Sequence, residues 1–582
     1  MKFRWTIAPP QPLLADTLAA ALKISPLLAQ CLLNRGLSET SAIENFLTPR
    51  LKHLADPFLI PNMGLAVSRL WQARERGEAV VIFGDYDVDG VTSTALLLEV
   101  LGQLGWPVNA YLPNRMEEGY GLSRDGVGHC LEKFPVDLLL AVDCGSTAVE
   151  TIDWLAKKNV EVIVLDHHQV STPAPAAVAI VNPHLATGDP SPGAAQAPRP
   201  FTELCSAGLA FKLAHAVVKR GRETGLPGAA DYDLKPLLDL VALGTIADIV
   251  PLVGENRILV SAGLERLNAT RRPGLIALKQ VAGSPPKLGT HDVGYQLAPR
   301  LNAAGRLETA EEALRLLQAQ TLEAALPLAQ SLDARNRERQ QIEKSMVETV
   351  LGGVRARFDA QKDFVIVEGQ LLWHIGVVGI VASRVLQEFY RPTVIIGGEN
   401  GEMRGSGRSI AGFDLAAALR ECGDLLVRHG GHAMAAGLSV APDKIDLLRE
   451  RLNAIARRTL QPDDLQPPLR LDAQLTLGEV HFDALDQLER LKPAGLGNGP
   501  VQFCAQNLAH RKPLQRMGAG KQHVKMWVTD GAVTHEAVWW NAGQGSLPVG
   551  KFDLAFTPAL SDFNGRTTVQ LKVLDWRTAT GL

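Results

Sequence analysis

Three carboxylates sit on alternate residues of Gly84-Asp85-Tyr86-Asp87-Val88-Asp89-Gly90, directly after the apolar run Val80-Val81-Ile82-Phe83. Two other apolar runs end in the same way. Leu138–Val142 runs into Asp143, and Val162–Leu165 runs into Asp166-His167-His168. Carboxylate oxygens mixed with imidazole nitrogens suit Mn²⁺ or Mg²⁺, and histidine shifts the preference toward Mn²⁺. Asp248, in Gly244-Thr-Ile-Ala-Asp248-Ile-Val-Pro, adds a further acid. A carboxylate in so apolar a stretch is costly unless cations neutralise it, the alternative being a helix cap. The DxDxDG segment does not read as an EF-hand loop, because position 12 from Asp85 is Leu96 and a strand-like run precedes it. Two divalent ions about 4 Å apart polarise a phosphoryl group and activate water at neutral pH, so phosphoester hydrolysis is the chemistry expected.

Elements must bring these residues together. Short aliphatic runs bounded by Gly and polar residues read as buried strands of a parallel sheet, and such sheets bind ligands at their carboxyl ends. A helix is expected from about Val91, its start just past Gly90 able to face an anion. Residues 1–60 read as a helical N-terminal segment and 61–307 as an α/β catalytic domain. The Gly- and Pro-poor stretch 308–351 reads as a long connecting helix, 352–460 as a second α/β lobe, and 465–582 as a small all-β barrel. Residues 186–200, rich in Pro, Ala and Gly, read as an exposed loop.

The second lobe carries Met403-Arg404-Gly405-Ser406-Gly407-Arg408 and Gly430-Gly431-His432-Ala433-Met434-Ala435-Ala436-Gly437. Small residues let backbone N–H groups approach a phosphate and arginine supplies a bidentate fork. In the barrel segment Lys512, Arg516, Lys521 and Lys525 lie close to Trp527, Trp539 and Trp540. Cationic grooves with stacking platforms hold single-stranded nucleic acid, although at least one of these tryptophans is expected in the barrel core.

Gly-Asp-Tyr-Asp-Val-Asp-Gly, Val-Asp-Cys-Gly, Asp-His-His and Gly-Thr-Ile-Ala-Asp resemble, in order, the four motifs of the DHH phosphoesterase superfamily, and over nearly the whole chain its single-strand-specific 5′→3′ exonuclease branch. The resemblance implies two α/β lobes, a DHH domain and a DHH-associated domain, joined by a long helix, and a C-terminal OB-fold barrel. It implies that Asp85, Asp87, Asp89, Asp143, His167, His168 and Asp248 form the metal site, His168 facing the scissile phosphate or supporting the ligands. It places His432 near the metals and the scissile group. Arg115, Ser406 and Arg408 are implied to bind a terminal 5′-phosphate. Arg300, Asn302 and Arg306, in Pro299-Arg-Leu-Asn-Ala-Ala-Gly-Arg306, offer groups for backbone phosphates, and Trp373 and His374 either contact bases or phosphates or simply pack. Some members carry histidine where this chain has Phe83, so the two ions are expected to bind with unequal affinity.

The expected activity is therefore an Mn²⁺- or Mg²⁺-dependent exonuclease that releases mononucleotides from the 5′ end of single-stranded DNA in repair and recombination. The alternatives are a DHH phosphodiesterase acting on oligoribonucleotides or cyclic dinucleotides, and an inactive single-strand-binding scaffold. The extra terminal segments argue for a polymeric substrate, and no main acid is missing. With 46% apolar and 21% charged residues the chain can fill several cores, and its net charge of −3 does not mark a general polyanion binder. No apolar run reaches the roughly 18 residues of a membrane span. Six scattered cysteines without CxxC spacing point to neither zinc nor a disulfide framework. A cytoplasmic monomer, working with a single-strand-binding protein and a helicase, is expected.

Overall fold

The computed structural model describes residues 3–114, 117–119, 121–185, 201–307, 309–399, 402–543, 546–563 and 565–579. The expected loop at 186–200 and Arg115 lie outside the described residues. The chain forms two compact units, one of residues 45–339 with 493–499, the other of 1–44, 340–492 and 500–582. Strand β1 (Arg4–Ile7) opens the second of these.

The first unit is built on a five-stranded parallel sheet in the order β3-β2-β4-β5-β6, with β2 Val80–Gly84, β3 Val108–Tyr111, β4 Leu138–Val142, β5 Glu161–Leu165 and β6 Ala179–Val181. The three acid-terminated runs are thus neighbouring strands. Successive side chains of a strand point to opposite faces. Val80, Ile82, Leu138 and Leu140 enter one core, while Val81, Phe83, Leu139 and Ala141 enter another. Both faces are covered, which is why these strands read as continuous apolar runs rather than alternating ones.

The helix after β2 spans Val88–Gln103, one turn earlier than expected, because Asp87 caps it by accepting the Gly90 amide at 3.1 Å. Gly90 is forced: a Cβ there would lie 2.4 Å from the Asp85 carbonyl oxygen. The stretch expected as one helix over 308–351 contains Glu311–Gln318 and, after a break at Ala319–Thr321, a 36-residue helix Leu322–Arg357.

In the second unit, β7 (Ile366–Gln370), β8 (Thr393–Glu399), β9 (Glu402–Arg408), β10 (Leu426–His432) and β11 (Ala435–Val440) form a sheet ordered β10-β11-β9-β8-β7. β12 (Pro468–Leu471) pairs in parallel with β1. The barrel uses β13 (Ala473–Gln474), β14 (Phe503–Met517), β15 (His523–Thr529), β16 (Thr534–Trp539), β17 (Phe552–Phe563) and β18 (Arg566–Thr578), and a β14–β17 pairing closes it. Among the described residues no single helix is long and apolar enough to cross a membrane.

Candidate metal centre and strand-binding residues

The three acidic loops leave the sheet in step. The Asp85 amide donates to Val142, the Asp143 amide to Leu165 and the Asp166 amide to Val181, each extending the hydrogen-bond ladder by one rung onto the next strand. Residues far apart in sequence therefore emerge side by side at the carboxyl edge. Asp143 does so at φ 63°, a left-handed conformation that Asp tolerates better than most residues.

His167 sits at the centre. Its Nε2 lies 3.4 Å from Asp143 Oδ1, 3.5 Å from Asp248 Oδ2 and 3.9 Å from Asp89 Oδ2. Three overlapping ligand groups result: Asp85, Asp87 and Asp143; Asp89, His167 and Asp248; and Asp143, His167 and His168. In each, the candidate donor atoms lie within 4.8 Å of one another. Asp143 and His167 each belong to two groups, so the geometry can hold more than one ion.

Two observations test the fit. His167 Nε2 and Asp248 Oδ2 are buried and have no hydrogen-bond partner among the described residues. Such atoms are costly unless something else satisfies them. The carboxylates also crowd one another. Burial first, and Asp87 second, raise Asp89 to about 7; burial and then Asp89 raise Asp248 to about 9. Asp143 is driven well above the carboxylate range by burial and then by Asp89. Burial, with His168 next, lowers His167 to about 4 and keeps its imidazole neutral, the form that ligates metal. Divalent cations in an oxygen and imidazole site relieve all of these at once.

Two supports, Ser206 and Ala207, lie outside the sequence motifs. The Ser206 and Ala207 amides, at the start of the helix Ser206–Thr224, donate to the two oxygens of Asp89 at 2.8 and 2.7 Å, and Ser206 Oγ donates to Asp143 Oδ1 at 2.8 Å. The start of this helix thus holds a ligand carboxylate, as the start of Val88–Gln103 holds Asp87. Small residues in Cys205-Ser-Ala-Gly208 were the available signal. Asp166 is not among the ligand groups. It pairs with His168 Nδ1 at 2.7 Å and accepts the Ser146 amide at 3.0 Å. Asp248 is the C-cap residue of the helix Leu238–Ala247, the dipole end least favourable to a carboxylate, so the cap alternative does not explain its side chain.

The segment Pro299–Arg306 has contacts that its sequence did not announce. Asn302 Oδ1 accepts the Val88 amide at 3.1 Å, and a Cβ at Gly305 would lie 2.7 Å from the Tyr86 carbonyl oxygen. The segment packs against the first acidic loop and braces it. Arg300 is engaged with Asp333 at 2.9 Å and the Gln296 carbonyl at 2.6 Å, so its guanidinium ties helices together. Arg306 is half-buried.

In the second unit, Ser406 and Arg408 are on β9, with Arg408 donating to Ser406 Oγ at 2.9 Å. Gly379, at the start of the helix Val378–Phe389, packs against both: a Cβ there would lie 3.0 Å from Arg408 Nη2 and from Ser406 Oγ. Trp373 packs into the core with Val377, Val381 and Ile395 and has little ring surface left for a base. His374 Nδ1 accepts the Gly376 amide at 3.0 Å. His432 is exposed at the end of β10. None of the three barrel tryptophans is fully buried, contrary to expectation. Lys512 and Lys525 each lie 5.3 Å from the Trp527 ring centre, whereas Trp540 is 53% exposed and meets His523 edge-on.

The DHH family N-terminal domain matches residues 79–245, the DHHA1 domain 362–458 and the RecJ OB domain 471–575. The single-stranded-DNA-specific exonuclease RecJ of Bacillus subtilis (strain 168) is 36% identical over 580 residues, covering 99% of this chain and 71% of the relative. The protein of the same name from Escherichia coli (strain K12) is 33% identical over 579 residues, 96% of each chain. The crystal structure of Thermus thermophilus RecJ in complex with Mn²⁺ superposes with a TM-score of 0.82 at 31% identity, covering all of this chain and 80% of that one. A crystal structure of exonuclease RecJ bound to manganese gives a TM-score of 0.58 at 36% identity over 70% of this chain and 96% of that one. Relatives more than 30% identical along almost the full length of this chain, with matches to the DHH, DHHA1 and RecJ OB domains, show that the chain belongs to the RecJ family of DHH phosphoesterases.

Proposed function

We propose that this chain is a metal-dependent exonuclease that hydrolyses single-stranded DNA from its 5′ end and releases mononucleotides. The observation that carries the reading is the convergence of Asp85, Asp87, Asp89, Asp143, His167, His168 and Asp248 on one carboxyl edge, with His167 Nε2 and Asp248 Oδ2 buried and without a hydrogen bond among the described residues. Asp85, Asp87, Asp89, Asp143, His167 and Asp248 are the proposed ligand set for two Mn²⁺ or Mg²⁺ ions, with His168 beside them facing the phosphate; the ions when bound would supply Lewis-acid activation of phosphate and water.

The chain's own residues do the rest. Asp89 and Asp143, fixed by Ser206 and Ala207, keep their oxygens aimed at the centre without reorganisation. His168 is held by Asp166, which favours its protonated form and so lets it place a proton or a positive charge beside developing negative charge on phosphate. Ser406, Arg408 and the helix start at Gly379 form the proposed pocket for a terminal 5′-phosphate. In the barrel, exposed Trp540 is the proposed stacking platform, with Lys512 and Lys525 providing phosphate contacts.

The proposed setting is DNA repair and recombination in the cytoplasm, as a monomer supplied with single strands by a helicase and a single-strand-binding protein. Digestion of end-labelled single strands, duplexes and RNA with Mn²⁺ or Mg²⁺ tests the reading. Mononucleotides released progressively from the 5′ end of single-stranded DNA are expected; internal cleavage or preference for duplex would overturn it.

A further inference from the structure

Residues 493–499 lie in sequence between the helix Phe482–Glu489 and barrel strand β14, yet they pack as part of the unit that carries the metal ligands. Their turn is closed by two hydrogen bonds, from the Gly495 amide to the Asn498 carbonyl at 2.9 Å and from the Asn498 amide to the Gly495 carbonyl at 3.2 Å. Asn498 is buried and its side-chain amide donates to the Pro493 carbonyl at 2.8 Å.

This turn docks on the residues that follow Asp248. The Leu252 amide donates to the Leu496 carbonyl at 2.7 Å. A Cβ at Gly495 would lie 2.7 Å from Leu252 Cδ1, and one at Gly497, where φ is +73°, would lie 3.0 Å from Pro251 Cβ. From the far side, Thr290 Oγ1 donates to the Ala494 carbonyl at 2.7 Å, and the buried Arg257 guanidinium donates to the Pro493 carbonyl at 3.3 Å. Between Asp248 and this anchor stands Ile249 at φ 60°, a left-handed conformation that a β-branched residue rarely adopts. Such a conformation persists only where the surroundings over-determine it. Asp248 itself gains nothing from its position at the helix C-terminus.

We infer that Pro493–Asn498 is a strap that positions Asp248 as a metal ligand, by pinning Pro251–Leu252 and so holding the turn at Ile249. Without the strap, Ile249 relaxes to a right-handed or extended conformation and the last helical turn moves the Asp248 carboxylate away from His167. The strap residues touch neither metal nor strand; they act through Asp248. The inference rests on the reading of Asp248 as a ligand.

The test is Mn²⁺ titration of the full chain by calorimetry and by the electron paramagnetic resonance signal of free Mn²⁺. Gly497→Ala is expected to weaken one of the two binding phases by about tenfold or more, the usual consequence of releasing a ligand from its support. Thr290→Val, which removes one strap hydrogen bond without introducing a clash, is expected to weaken the same phase several-fold. It decides the matter if Gly497→Ala fails to fold. Gly499→Ala, just outside the strap with open space around its Cβ position, is expected to titrate as wild type. Wild-type Mn²⁺ affinity in folded Gly497→Ala and in Thr290→Val overturns the strap, as does equal weakening by Gly499→Ala. Wild-type affinity in Asp248→Asn overturns instead the ligand reading on which the strap depends.

Discussion

His168 Nδ1 lies 2.7 Å from Asp166 Oδ1, and the other oxygen of that carboxylate accepts the Ser146 amide at 3.0 Å. Burial alone would lower the imidazole, but the hydrogen bond and charge of Asp166 outweigh it and raise His168 to about 9. A histidine with a raised folded pKa contributes stability that is fully present below the ordinary value near 6.5 and is lost as pH rises through about 9. In metal-free protein, Asp166→Asn should therefore be less stable than wild type at pH 6, with the gap closing by pH 9.5, as read from urea unfolding. Turnover should fall by about 10- to 100-fold. An equal stability gap at both pH values would remove Asp166 as the cause.

Asp89 and Asp248, raised to about 7 and about 9, carry the opposite lesson for metal loading. Their folded values exceed the unfolded ones, so in metal-free protein their protonation favours the folded state at low pH and that gain is lost as pH rises through these values. The melting temperature of chelator-treated protein should drop between pH 6 and pH 9, and added Mn²⁺ should reverse the trend. Mn²⁺ affinity should increase over the same range, with protons released on binding. Calorimetry in buffers of different ionisation enthalpy measures that release; heats independent of buffer would contradict it.

Phe83 is fully buried and stacks on Tyr111 at 5.5 Å between ring centres, so the position offers packing and no imidazole. Mn²⁺ titration of wild type should show two phases of different affinity. A single phase of two equally tight ions would count against this.

Cutting and end selection should separate. Asp143→Ala should lower turnover by roughly a thousandfold or more while strand binding persists. Arg408→Ala should leave cleavage of strands with a 5′-hydroxyl little changed and abolish the preference for 5′-phosphorylated ends. Gly379→Ala, whose new methyl would crowd Arg408 and Ser406, should reproduce that loss. Competition between the two labelled substrates gives the ratio directly, and an unchanged ratio would exclude the pocket.

Much of the catalytic unit was legible in sequence because both signals are local. Val80–Phe83, Leu138–Val142 and Val162–Leu165 announce strands buried on both faces, and acids at their ends announce a crevice. The supports were not legible. Ser206 and Asn302 carry no charge pattern or spacing that links them to the ligands, since each is defined by a hydrogen bond to a partner far away in the chain, and Asp166, though inside the Asp-His-His run, does not declare there that it holds His168. The Arg300–Asp333 pair was not legible for the same reason: a guanidinium in a Gly/Ala-rich segment suits a phosphate or an aspartate equally, and Asp333 lies far along the chain.

By itself, then, the sequence determined the chemistry, since side-chain type and strand periodicity dictate which groups gather at a parallel sheet's edge. Only the tertiary structure decided how each group is held: which helix start restrains Asp89, which carboxylate orients His168, and that the distant turn 493–498 docks behind Asp248. Most of those are contacts between segments separated by long stretches of chain, and composition carries no information about which distant surfaces meet once apolar burial has folded them together.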